Sequence, residues 1–230
     1  MIITKKGEIL LSEKTSYLTI KENGKNELTI KKSRFICSMA RVQTPEEAQK
    51  FITKITKKYH DATHNTYAYT IGLDDNQVKA SDNGEPSGTA GIPELKALQL
   101  MKLKNVCTVV TRYFGGIKLG AGGLIRAYSN SVTKAAETIG VVKCSLQQEI
   151  HFTISYPNVD RVNHYLEEKD LSVVDQTYST NVTYTLFLDL SEVEAFENDL
   201  TNFLSGNISF KYGKQKFNET LLTSNNFHEQ

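Results

Sequence analysis

Apolar residues recur along the chain in two rhythms, and these rhythms mark out alternating strands and helices. Ala48, Phe51, Ile52, Ile55 and Tyr59 repeat at helical spacing behind Thr44-Pro45-Glu46-Glu47, which supplies an N-cap, a proline for the first helical position and a capping glutamate. Before that helix, residues 34–42 read as a strand. Residues 17–20 and 28–30 read as a hairpin around the polar turn 21–26, or as a loosely attached arm. After the helix come a strand over 63–73, a turn at Asp74-Asp75-Asn76 and a short return strand over 77–80. A polar loop over 81–91 then leads into a helix from Pro93 to Leu103. The β-branched run Val106–Tyr113 predicts a buried strand. A glycine-rich loop over 115–123 opens a long helix lined by Leu124, Tyr128, Ser131, Val132, Ala135 and Ile139 and closed by Gly140.

Beyond Val141 the pattern changes. Strands over 147–156, 171–178, 182–190 and 208–217 enclose helices over 158–168 and from Ser191, whose Glu194 completes a capping box. That β-α-β-β-α-β order is the ferredoxin-like split βαβ arrangement. The chain therefore reads as α+β with two domains. It divides into an arm (1–14), a first domain (15–140), a linker (141–146), a ferredoxin-like domain (147–219) and a frayed tail (220–230).

A hydrophobic content of 39% supplies two cores and excludes disorder. No apolar run approaches the ~18 residues of a membrane span and no signal-peptide core opens the chain, so the expected location is cytoplasmic, with no membrane partner. Cys37, Cys107 and Cys144 are odd in number and widely spaced in apolar stretches, which predicts reduced core thiols. The net charge of +1 conceals an asymmetry. Residues 1–146 hold 22 Lys+Arg against 13 Asp+Glu, a net +9, and residues 147–230 hold 5 against 13, a net −8. The first domain is thereby suited to anionic partners.

Two segments depart from what core packing demands. In the first, residues 81–93, three glycines and the hydroxyls of Ser87 and Thr89 precede a helix start, where free N–H groups and the positive dipole end favour an anion, and Gly88 lets it approach. Asp82 and Glu85 lie in the same loop. They could hold a magnesium ion bridging to phosphate, or could cap the N–H groups themselves. In the second segment, residues 109–128, a strand ends in Arg112 and Tyr113 and passes through Gly115, Gly116, Lys118, Gly120, Gly122 and Gly123 into a helix carrying Arg126. Ala121-Gly122 replaces the Lys-Ser/Thr pair of a Walker motif, and Ile125 stands where a dinucleotide fingerprint needs its third glycine. The ingredients of a phosphate cradle remain, with Tyr113 and Tyr128 as stacking surfaces and Phe114 assigned to the core. His64, at the head of its strand, is a candidate ligand or base. No Ser-His-Asp, Cys-His or zinc arrangement is readable.

Ser33-Arg34-Phe35, His64-Asn65-Thr66-Tyr67-Ala68, the run from Asp82 to Gly91 and the run from Thr111 to Gly120 resemble the YigZ/IMPACT family over about residues 15–218. The family usually has cysteine where Thr66 stands and aspartate where Asn83 stands, which argues against an essential thiol nucleophile and against a three-acid scheme. The resemblance implies a first domain like the second domain of a small-subunit ribosomal protein, a second like the last domain of elongation factor G, and a link to translation control. Arg34 enters the candidate site on this resemblance. The leading expectation is a translation-associated regulator that binds RNA or a ribosomal surface, not DNA, through a glycine-rich cationic cleft and needs no cofactor. The alternatives are a magnesium-dependent phosphoryl-transfer or hydrolase enzyme in the same cleft, and a regulator that binds a protein of the translation machinery.

Overall fold

The computed structural model describes residues 15–222, so the arm 1–14 and the tail beyond residue 222 lie outside the described residues. The described residues form two compact units: Tyr17–Cys144 joined by Glu219–Leu222, and Ser145–Asn218 joined by Thr15 and Ser16.

The first unit is built on an antiparallel sheet. In order across it lie β2 (Gly24–Ile30), β3 (Ser33–Arg41), β6 (Val106–Tyr113), β4 (His64–Ile71) and β5 (Gln77–Ser81). Helix α1 (Pro45–Lys58) covers one face, and α2 (Gly91–Leu100) and α3 (Ala121–Ile139) cover the other. A strand covered on both faces need not alternate in hydrophobicity. In β6, Cys107 and Val109 pack towards α1 while Val106 and Val110 pack towards α2 and α3, hence its unbroken apolar run. The expected cap of α1 is present: the Glu47 N–H donates to Thr44 Oγ1 (3.2 Å), and the Glu47 carboxylate accepts from the Gln43 N–H (2.7 Å). The three cysteines are buried thiols.

Four expectations need correction. No hairpin joins β1 (Ser16–Ile20) to β2, because β1 lies beside the start of β7 (Val141–Ile154), with the Lys21 N–H donating to Gly140 O (2.8 Å), while β2 pairs with β3. Residues 141–146 are no linker; they open the continuous strand β7. Helix α2 starts at Gly91 and stops at Leu100, where Lys102 takes a left-handed φ of 54° and the Leu103 N–H returns to Leu98 O. The Ser191–Glu194 box does not form, because the Glu192 N–H closes a turn onto Asp189 O and α5 (Val193–Phe203) begins after it.

In the second unit the elements run β7, α4 (Val159–Glu168), β8 (Val173–Tyr178), β9 (Val182–Asp189), α5 and β10 (Ser209–Leu221). The sheet order β10-β7-β9-β8 is the one the ferredoxin-like reading requires. Its core includes Phe152 stacked on Tyr184 at 5.0 Å.

Candidate functional site

The first loop leaves β5 at Ser81 and folds its own acid into the start of α2. The Asp82 carboxylate accepts from the N–H groups of Gly88 (2.8 Å), Ala90 (3.0 Å) and Gly91 (2.9 Å). Burial pushes this carboxyl up, but the three hydrogen bonds together hold it below the usual range. The loop can turn this tightly because residue 91 is a glycine: a Cβ there would lie 2.5 Å from Ser81 N. The expected anion seat at this helix end is therefore filled by Asp82. Gly88 donates inward, Thr89 is buried with its hydroxyl on Pro86 O (2.6 Å), and Ser87 is exposed at the tip. Asn83 donates to Asn65 O (2.7 Å) and its carbonyl faces His64 Nδ1 at 3.2 Å, so His64 braces the loop.

The second loop begins with Arg112, which the structure turns inward on the α2/α3 face of the sheet. Its Nη1 donates to Glu85 Oε1 (2.6 Å), and that same oxygen accepts from the Tyr128 hydroxyl (2.7 Å). The side chains of Glu85 and Arg112 are 2% and 7% exposed, and the guanidinium lies over the Phe35 and Phe114 rings at 5.3 and 5.5 Å. His64 Nε2 stands 4.0 Å from the same carboxylate. The two loops do converge, but they meet through a buried ion pair. Arg112 is thus spent on Glu85 and not presented to a phosphate, and the fully buried Tyr128 offers no face to a base. Tyr113 is half-buried, its hydroxyl on Asp61 (2.9 Å), with the exposed Arg34 over its ring at 5.3 Å and itself paired to Glu27 (2.8 Å).

With Asp82 on three N–H groups and Glu85 on Arg112 and Tyr128, neither carboxylate is set to hold the magnesium ion of the enzyme alternative. No cluster of three or more His, Cys, Asp or Glu side chains placed for a metal occurs among the described residues. Sequence reasoning missed a further acid, Glu94. It is fully buried in α2 against the Thr66 hydroxyl, with its second oxygen unpartnered, and burial raises its pKa well above the usual range. Its position in the first turns of α2, on the sheet-facing side, was the available signal.

What remains open lies past Phe114. Gly115 is demanded by packing: its N–H donates to Ser33 Oγ (3.1 Å), and a Cβ there would fall 2.1 Å from the Lys32 carbonyl. At Gly116, Gly120 and Gly122, in contrast, a Cβ would meet nothing within 4 Å and would face open space, while at Gly123 it would come 3.1 Å from the Leu119 side chain. Gly120 is the N-cap of α3, with φ 71°; no side chain caps this end and no acid occupies its first turn. Lys118 and Arg126 are exposed beside it and take part in no ion pair among the described residues. Phe114 is 46% exposed, correcting its core assignment, and Ile117 and Ile125 are exposed with it.

Over residues 31–136 the chain matches the Impact N-terminal domain, and over 152–207 a domain of unknown function, DUF1949. It is 46% identical over 204 residues to the IMPACT family member YvyE of Bacillus subtilis, covering 89% of this chain and 94% of that one. The chain belongs to the IMPACT family. The IMPACT family member YigZ of Escherichia coli is 32% identical, across 78% of this chain and 89% of its own. A crystal structure of a hypothetical protein aligns with a TM-score of 0.55 at 30% identity, covering 86% of this chain and 97% of that chain. In this IMPACT-family protein the Impact N-terminal match takes in both converging loops, Glu85 and Arg112 included, and the DUF1949 match falls in the ferredoxin-like unit. No helix among the described residues is long and apolar enough to cross a membrane.

Proposed function

We propose that the first unit binds RNA, free or displayed on a ribosomal surface, with phosphate seated at the open end of α3 between Lys118 and Arg126. One contrast carries the reading. The N-terminus of α2 is closed by Asp82, whereas that of α3 is uncapped, free of acids, side-chain-poor at Gly120, Gly122 and Gly123, and flanked by two unpaired cations. Unsatisfied N–H groups, the helix dipole and adjacent cations all favour an anionic oxygen. Exposed Phe114 adds a ring on which a base can stack. The translation link implied by the family resemblance agrees with this ligand class. Fluorescence anisotropy with a labelled 20-nucleotide single-stranded RNA tests it: Lys118→Glu/Arg126→Glu should weaken binding about tenfold or more. Unchanged affinity in that variant overturns the placement at α3. If a protein partner copurified with the chain survives nuclease treatment while RNA does not bind, the RNA reading itself falls.

A further inference from the structure

The face of α1 turned away from its core carries a second cluster of cations. Ala48, Ile52 and Ile55 are buried, so Lys50, Lys54 and Lys57 are exposed along the outer face of the helix. Across from them, β5 forms an edge of the sheet, and Lys79 lies opposite Tyr69 in the β4–β5 register. Residues opposite one another in an antiparallel pair share a face, and Tyr69 packs on the α1 side, so Lys79 points towards α1. Together these residues line a groove of about 710 Å³ with Tyr69 in its lining and a single acid, Glu46, at its start. The side chain of none of the four lysines makes a hydrogen bond or ion pair among the described residues. Four like charges around one concavity repel each other and focus a positive potential, which a polyanion relieves.

The spacing suits a nucleic acid strand. From Lys50 to Lys57 the helix rises about 10.5 Å, so the three lysines follow one another about 5 Å apart in a row along which a phosphate backbone can lie. We propose that the α1–β5 groove is a second RNA-backbone site, in which Lys50, Lys54, Lys57 and Lys79 neutralise consecutive phosphates. Tyr69 is too buried to stack on a base, so contact there runs through phosphate and the groove discriminates little between sequences. This site rests on the reading that the first unit binds RNA and extends it to a face of the sheet opposite α3.

The test uses the full chain and the same 20-nucleotide RNA with Lys50→Ala/Lys54→Ala/Lys57→Ala. Alanine keeps the exposed helix face intact, and far-UV circular dichroism confirms the fold. Affinity should drop at least tenfold and the salt dependence should flatten by about two, three lysines at ~0.7 each. Saturating RNA should also shield Lys50, Lys54, Lys57 and Lys79, but not Lys134, from an amine-reactive reagent. If this variant binds as wild type while Lys118→Glu/Arg126→Glu is impaired, the groove is refuted and the α3 site stands. If the groove variant is impaired and the loop variant is not, the groove stands and the α3 placement falls. Wild-type chain that ignores RNA at low salt refutes both.

Discussion

Neutralising Glu85 while leaving its shape, as in Glu85→Gln, should strip Arg112 of its counter-charge inside the first unit. Glu85 Oε1 accepts from Arg112 Nη1 at 2.6 Å and from Tyr128 at 2.7 Å, with the pair 2% and 7% exposed. The remaining support for the guanidinium is the Ser33 hydroxyl at 3.5 Å and the two phenyl rings, and its Nε already lacks a partner. Orphaning one member of a buried pair costs about 3–5 kcal/mol, against ~1 kcal/mol or less for an exposed one. With a urea slope of about 1–3 kcal/mol/M, the midpoint should move by about 1 M or more. The assay is urea unfolding followed by tyrosine fluorescence and far-UV circular dichroism. The double variant Glu85→Gln/Arg112→Met removes both charges, so it should lose at least ~2 kcal/mol less than the two single variants summed. A single-variant loss below ~1 kcal/mol, or strict additivity, would refute the ion pair as the clasp between the loops.

Asp82→Ala removes the acceptor of three backbone N–H groups and should cost about 2 kcal/mol. Because this carboxyl is held below 3.8, its stabilisation is present above that pH and lost as pH falls through the lowered value, so the variant's stability curve should lack that acid limb. Glu94 has the opposite sign: it is held well above 4.5, so it favours the fold below that pH and loses that contribution as pH rises through its folded value. Glu94→Gln should flatten the decline and be more stable than wild type at about pH 8 by about 1 kcal/mol or more, read as a higher unfolding temperature. Gly115→Ala drives a Cβ onto the Lys32 carbonyl and should cost at least ~2 kcal/mol in thermal unfolding. Gly122→Ala, with open space around it in a helix, should be neutral or stabilising by up to ~1 kcal/mol.

Much of this fold can be read from periodicity, because most elements bury a face. Ala48, Ile52 and Ile55 announce α1, and the run from Val106 to Val110 announces a strand covered on both sides. Partners of short polar segments are another matter: nothing in Tyr17–Ile20 states that β1 joins the start of β7, since pairing is settled by long-range register. The two loops were recognisable from their glycines, and both follow strand ends. What local sequence does not encode is which charges neutralise each other. Glu85 and Arg112 lie 27 residues apart, and only the fold turns both inward. Asp82 looked equally fit for a cation or a cap, and the turn that brings Gly91 against Ser81 decides for the cap. The lysines of α1 were visible at i, i+4 and i+7, but the groove needs Lys79, which only the β4–β5 register supplies.

The open end of α3 is tested most directly by the slope of log affinity for single-stranded RNA against log salt concentration. For wild type it should fall steeply, by about 0.7 for each phosphate neutralised, and Lys118→Ala/Arg126→Ala should be shallower by about 1.4. A flat wild-type line, or a slope the double variant leaves unaltered, would contradict phosphate seated at α3.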